Sequence, residues 1–404
     1  MATASLTPLP INTGGNLPHD QVVGRDILMA TVLERLGNQS VIIGAERRMG
    51  KTSLLRKLEA EANDKAFVIC YRSVENTSSP TEFVEAIIEM VGRRLSPRHK
   101  IVKGLRNVLR DVGLKGIDIK GVTLDPAHAV AWKPLLERVI ETIDRDKTKP
   151  VVLLIDELPY MLQKIAAADS PAIARDVLDT LRALRANHPG VRMLFSGSIG
   201  LHHALRQLHD PTIAWQPVND MAAVSLGPLA PEDAINLAKR LLLGKNVATD
   251  TLDAVAARMA ELVEGVPFYI HHLAAGVVEQ FGRTADVPTP ADIDALVEKA
   301  VLDPADPWQL AHYVTRLKDY FEEDHEVVAI ILDLIARSDD PIGFDDLTKQ
   351  LHAKKAKTPS DDEVRALLDL LERDHYLVKA GAGRVRFRLD IIRKAWRAKR
   401  YLDR

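Results

Sequence analysis

The sequence predicts an α/β fold: a parallel sheet flanked by helices, followed by an all-helical region and a small helix-and-hairpin module. Three observations predict it. Short apolar runs alternate with helical periodicities between Ser40 and Pro228; periodicity from Pro231 to Ala300 is helical alone; and two alternating segments flank Gly381-Ala-Gly383 near the end. At 404 residues the chain exceeds the roughly 250–300 residues at which one hydrophobic core stops growing. The expected division is an extended arm over 1–20, a sheet domain over 21–228 with a basic insertion at about 93–124, a helical domain over 229–310 and a last module over 311–404.

The elements follow in order. Pro8, Pro10, Gly14, Gly15 and Pro18 mark the arm, which is expected to lie against the first domain. Ile27, Leu28, Val32, Leu33 and Leu36 recur at helical spacing, and Gly37-Asn38 stops that helix. Ser40–Ile43 reads as a buried strand, and Leu54, Leu55 and Leu58 line one face of the helix that follows Gly50. A second strand is expected over 66–71, a helix over 81–95 and another over about 129–145. Val151-Val-Leu-Leu-Ile155 is the clearest buried strand in the chain, because it is apolar throughout and stops at Asp156-Glu157. An amphipathic helix over 173–187 leads to a strand at Val191–Phe195. Breaks at Gly265-Val-Pro267 and Pro288-Thr-Pro290 divide the helical region.

Net charge is −2, so the whole molecule has no field that would draw it to nucleic acid or anionic membrane, and such binding needs a local patch. Two basic segments exist. Residues 93–120 hold nine Lys and Arg against Asp111 and Asp118, with a hairpin expected at 113–124; residues 379–404 hold ten against Asp390 and Asp403. Cys70 is the single cysteine and sits in an apolar run, so a buried strand thiol is expected in place of a disulfide. A basic-then-apolar leader is missing from the start and no run approaches about 18 apolar residues; a cytoplasmic location without membrane contact is the expectation.

The chemistry concentrates in two places. Gly44-Ala45-Glu46-Arg47-Arg48-Met49-Gly50-Lys51-Thr52-Ser53 lies between a strand and a helix, where successive backbone N–H groups can turn onto phosphates at the positive end of the helix. Ala45 occupies the position where the pattern G-x-x-x-x-G-K-[ST] has its first glycine, so the match is strict only from Gly50 onward. Lys51 suits the β- and γ-phosphates of ATP, and Thr52 a magnesium ion. About a hundred residues on, Asp156 and Glu157 end a buried strand. Asp156 is a second magnesium ligand by this reading, and Glu157 the base that deprotonates an attacking water. Ser196, with Ser198, ends a further strand and fits a phosphate-sensing role.

On Val22-Val23-Gly24-Arg25-Asp26, the loop from Gly44 to Leu55, Leu153–Glu157, Phe195-Ser-Gly-Ser198 and Glu264-Gly-Val-Pro267-Phe268, the chain resembles AAA+ and STAND P-loop ATPases. The nearest branch is archaeal-ATPase-like or origin-recognition-like. The resemblance spans roughly 20–300 and implies a parallel-sheet P-loop NTPase core, an α-helical lid and a molecular switch that binds and hydrolyses ATP. It also implies that Val23, Gly24, Arg25 and Pro267 contact the nucleotide. An arginine donated to a neighbouring subunit is expected of classical members; Arg182 and Arg185 are the candidates here, and self-association stays open. The final module, Glu326–Ala336, Phe344–Leu351, Asp361–Asp374 and the hairpin, resembles a winged helix. Arg384 and Arg386 on its wing suit DNA, whereas the acidic helix 359–374 is poorly suited to a phosphate-lined groove, and the resemblance to STAND ATPases implies a winged helix that packs on the nucleotide domain or binds protein. Two alternatives to the switch therefore remain: a DNA-binding regulator or initiator, and a nucleotide-gated adaptor with little turnover.

Overall fold

The computed structural model describes residues 6–15, 17–62, 66–113, 119–122, 131–197, 200–209, 215–245, 247, 250–284, 286–354, 359–381 and 383–402. The chain divides into two compact units: Asn16–Gly227, and Met1–Gly15 together with Pro228–Arg404.

The first unit runs α1 (Asp26–Asn38), β1 (Val41–Ala45), α2 (Lys51–Glu61), β2 (Val68–Ser73), α3 (Pro80–Arg94), α4 (Lys100–Asp111), α5 (Trp132–Asp144), β3 (Val151–Asp156), α6 (Leu158–Ala168), α7 (Pro171–Asn187), β4 (Val191–Ser196), α8 (Leu201–Gln207) and β5 (Ala222–Leu226). The five strands form one sheet in the order β2-β3-β4-β1-β5, and every neighbouring pair is parallel. Parallel strands need crossovers, which the intervening helices supply. All six residues of β3 are buried, as expected of a strand covered on both faces. Val151, Leu153 and Ile155 share a core with Cys70, Phe83, Ile87, Leu136, Ile140, Leu181 and Phe195. Burial pushes the Cys70 thiol up to about 12, so it stays protonated and unreactive.

Local signals set the boundaries. The Ser79 hydroxyl caps α3 by accepting from Glu82 N at 3.2 Å, and Ser170 caps α7 in the same way. Gly50 has φ +84°, a left-handed conformation that glycine adopts without penalty; α2 starts at the next residue, Lys51. The hairpin expected at 113–124 falls largely outside the described residues, of which Ile119–Gly121 form one 3-10 turn with Ile119 buried.

Among its described residues the second unit carries helices and a small sheet beside the extended arm. It contains α9 (Pro231–Leu242), α10 (Leu252–Leu262), α11 (Pro267–Phe281), α12 (Pro290–Leu302), α13 (His312–Thr315), α14 (Leu317–Phe321), α15 (His325–Arg337), β6 (Ile342–Gly343), α16 (Phe344–Lys354), α17 (Asp361–Arg373), β7 (Leu377–Lys379), β8 (Arg384–Phe387) and α18 (Asp390–Lys399). The sheet is antiparallel in the order β6-β8-β7. Ser360 and Glu363 form a capping box at the start of α17. The buried Arg316 guanidinium, Nε 2.7 Å from Tyr376 Oη, ties the short helices to the sheet module. Burial in turn keeps the Tyr376 hydroxyl protonated, at about 12.

One expectation is corrected. The start of the arm does not belong with the first domain: Leu9 N–H donates to Arg240 O at 2.8 Å, Arg240 Nε donates to Thr7 O at 2.9 Å, and Asn12 N–H donates to His271 Nδ1 at 3.1 Å. Backbone groups of an extended segment need partners, and α9 and α11 provide them. No helix among the described residues is long and apolar enough to cross a membrane.

Candidate nucleotide site

The sheet order decides the geometry. Because β4 lies between β1 and β3, the ends of three adjacent strands bring the loop after Ala45, the pair Asp156-Glu157 and Ser196 to one carboxyl edge, where ligands of open α/β sheets bind.

Asp156 is the centre of the arrangement and is 1% exposed. Its Oδ1 accepts from Ser196 Oγ at 2.6 Å and from Glu157 N–H at 3.1 Å. Its Oδ2 accepts from Thr52 Oγ1 at 2.9 Å and from Tyr71 Oη at 3.3 Å. Lys51 Nζ stands 3.9 Å from Asp156 Oδ1 and 3.1 Å from Glu157 Oε1. Lys51, Thr52, Asp156, Glu157 and Ser196 thus form one hydrogen-bonded cluster, although Lys51 and Glu157 are 106 positions apart in the chain. Glu157 itself has φ +62°, an uncommon backbone for a residue with a side chain, costing on the order of 1 kcal/mol. That strain sits where the carboxylate must leave the strand and turn into α6.

The phosphate-loop residues are distributed more finely than their sequence suggests. Gly44 and Ala45 still belong to β1, opposite Ser225 and Leu226 of β5, and Ala45 is buried. A buried methyl inside a strand explains why alanine is accepted there. The turn proper is Glu46–Gly50, with Glu46 and Met49 buried, Arg47 exposed and Arg48 at φ +75°. Ser53 is buried on α2 beside Leu54 and Leu55, and each of those leucines contributes about 2 kcal/mol by burial.

Arg25 is buried and its Nη2 donates to Met49 O at 2.9 Å. The segment Val23-Gly24-Arg25 is therefore fastened to the loop itself, with Gly24 at φ +68°. Lys57 on α2 completes the attachment by donating to Val22 O at 2.9 Å. Pro267 lies in the other unit, at the first position of α11. The preceding Gly265, at φ +73°, has no room for a Cβ, which would meet Leu229 O at 2.6 Å. Ser198 lies outside the described residues.

Arg185 is not available to a neighbouring subunit. Its side chain is 3% exposed, donates to both carboxylate oxygens of Asp220 at 2.8 Å and to Pro217 O at 2.7 Å. Burial acts to raise the pKa of Asp220, but the Arg185 hydrogen bonds hold it below the ordinary carboxylate value. The candidate Arg185 is thus corrected to a structural anchor that ties α7 to the segment before β5. Arg182 donates to Gln216 O at 3.0 Å from an exposed position.

Tyr71 was missing from the set of residues expected at the site. It comes from β2, paired with β3 so that Tyr71 faces Leu154 and Ser73 faces Asp156. Two strand positions rise by roughly 6.6 Å, a distance that a tyrosine side chain spans. A tyrosine near a strand end was the only signal, and it gains meaning once β2 is known to neighbour β3.

These features are those of a P-loop nucleotide site: a parallel sheet with the phosphate loop on β1, paired carboxylates on β3 and a polar residue on the strand between them. Residues 35–205 match the model of the AAA domain family. No curated protein matches the chain by sequence. Among solved structures, it is similar to the Walker-type ATPase PABY2304 of Pyrococcus abyssi, at 16% identity and a TM-score of 0.63, covering 95% of this chain and 99% of that one. It is also similar to the Aeropyrum pernix ORC2 protein in its ADPNP–ADP complexes, at 14% identity and a TM-score of 0.49, covering 93% of each chain.

Proposed function

We propose that this chain is a magnesium-dependent ATP switch, in which the nucleotide held by the first unit sets the orientation of a helical lid and a winged helix in the second. The observation that carries the reading is the cluster around Asp156. A buried carboxylate beside a threonine hydroxyl is an oxygen-donor set suited to a hard cation, so Thr52 and Asp156 fit Mg²⁺. When bound, Mg²⁺ neutralises phosphate charge.

The chain's own groups do the rest. The N–H groups from Glu46 to Thr52 cradle phosphates at the start of α2. Lys51 has one ammonium, which Glu157 now holds at 3.1 Å; β- and γ-phosphates compete for it, and their arrival releases the Glu157 carboxylate to accept a proton from water. Ser196 holds Asp156 in place and lies where a γ-phosphate can be read. Val23, Gly24 and Arg25, fixed to the loop through the Arg25 contact with Met49 O, border the base.

Steady-state ATP hydrolysis with and without Mg²⁺ tests the reading. Wild type should turn over only with Mg²⁺, whereas Glu157→Gln should bind ATP and lose about 100-fold or more of its turnover, the share expected of a positioned base. Undiminished hydrolysis by Glu157→Gln would remove Glu157 from its role; binding without turnover in wild type would favour the adaptor.

A second reading, DNA binding through the winged helix, rests on Arg384 and Arg386, which alternate with buried Val385 and Phe387 and so share the exposed face of β8.

A further inference from the structure

We infer that Tyr71 is a positioning residue for the divalent cation of this site, acting through the Asp156 carboxylate. The inference rests on the Thr52–Asp156 reading of the metal site given above.

Asp156 presents two oxygens with different duties. Oδ1 faces Ser196 and the Glu157 amide, whereas Oδ2 faces the Thr52 hydroxyl at 2.9 Å, the second candidate ligand. Tyr71 Oη reaches the same Oδ2 at 3.3 Å. A carboxylate that binds a cation through one lone pair of an oxygen can accept a hydrogen bond on the other, and such a bond fixes its rotation about the Cβ–Cγ axis. Without Tyr71, Oδ2 keeps the Thr52 hydroxyl, which is itself needed at the cation. Tyr71 can then supply the orientation without occupying a ligand position.

Tyr71 is well suited to do so. A phenol hydroxyl carries its proton at neutral pH, so it can donate to Asp156 Oδ2. Its backbone is held independently: Tyr71 N–H donates to the Glu59 carboxylate on α2 at 2.9 Å. Its ring lies beside Arg56, with the guanidinium carbon 5.8 Å from the ring centre. Arg56 stands on α2 one turn after Thr52, so the helix that supplies one candidate ligand also braces the group that orients the other.

The test is Mn²⁺ binding, read by electron paramagnetic resonance on the full chain saturated with ADP, for wild type, Tyr71→Phe and Arg56→Gln. Nucleotide affinity in EDTA is measured in parallel. Tyr71→Phe should weaken Mn²⁺ about 10-fold or more, the range found when the hydrogen-bond partner of a metal ligand is removed, and leave nucleotide affinity in EDTA unchanged. Arg56→Gln, which keeps the hydroxyl, should weaken Mn²⁺ less. Equal Mn²⁺ affinity in Tyr71→Phe and wild type overturns the inference and leaves the metal-site reading intact. Loss of nucleotide affinity in EDTA together with Mn²⁺ affinity also overturns it, since the hydroxyl would then support the whole site. Should Tyr71→Phe fail to fold, Arg56→Gln decides: unchanged Mn²⁺ affinity overturns the inference. Wild type that binds Mn²⁺ no better than Asp156→Ala overturns the underlying reading, and the inference with it.

Discussion

Two regions of this protein are dense in charge, and they use it in opposite ways. At the carboxyl edge of the large sheet, Lys51, Asp156 and Glu157 come from segments about a hundred positions apart and meet with little exposure. In the carboxyl-terminal module the basic excess is largely answered by nearby acids. Lys379 pairs with Asp369 and Glu372, Arg393 and Lys394 with Asp390, Arg397 with Asp339 and Arg400 with Asp333. Two of these pairs, Arg393 and Lys394 with Asp390, are three or four residues apart on one helix, the spacing at which side chains meet regardless of function. A charge count along the sequence therefore overstates the second region. It understates the first, where few charges converge because strand ends deliver them.

The comparison breaks most decisively at Lys51. If the edge cluster is a ligand site, Lys51→Ala should weaken ATP binding about 100-fold or more, as expected when a charge-assisted contact is removed from a sparsely solvated site. Its fold should survive, which circular dichroism would check. A Lys51→Ala protein that binds ATP normally would reduce the cluster to an ion-pair network like those of the other region.

Much of this was readable beforehand, for physical reasons that differ by residue. Val151–Ile155 reads as a central strand because a strand covered on both faces demands an apolar run, here the first five of its six buried positions, and Gly50-Lys51-Thr52 because a left-handed turn before a helix needs glycine. The position of β4 between β1 and β3 was not readable, since strand order depends on where crossovers pack and not on local pattern. That order is what makes Ser196 a partner of Asp156, and the β2–β3 pairing is what brings in Tyr71. Arg185 misled for the same reason: its partner Asp220 is 35 positions away, so helical position alone could not distinguish a free arginine from an anchored one.

The comparison can be sharpened with a third kind of polar group, one buried without an opposite charge. His271 on α11 is 3% exposed and accepts a hydrogen bond from Asn12 N–H through Nδ1. Burial first, and then neighbouring His272, push its pKa down to about 4. The unfolded chain takes up this proton near pH 6.5 and the folded chain only near pH 4, so the unfolded state binds more protons between those values. The stability contributed by a neutral His271 is thus fully present above about pH 6.5 and lost as pH falls toward 4, by about 3 kcal/mol at most. Urea unfolding of wild type and His271→Gln across pH 4–7 should show a steeper acid loss in wild type. Parallel curves would mean that His271 titrates normally and that the arm is not held by a neutral imidazole.

The smallest expected effect concerns what remains of the basic carboxyl-terminal segment. With Lys379, Arg393, Lys394, Arg397 and Arg400 paired, Arg384 and Arg386 are the basic pair left on the exposed face of a strand. Each phosphate contact contributes about 0.9 to the slope of log affinity against log salt on duplex DNA. If the wing touches DNA, the double variant Arg384→Ala/Arg386→Ala should lower that slope by about 2, with ATP hydrolysis unchanged. Fluorescence anisotropy of a labelled duplex across 50–200 mM salt measures it. A slope that is the same in both proteins would show that wing and DNA do not meet, and the acidic α17 would then direct the search to a protein partner carrying basic groups.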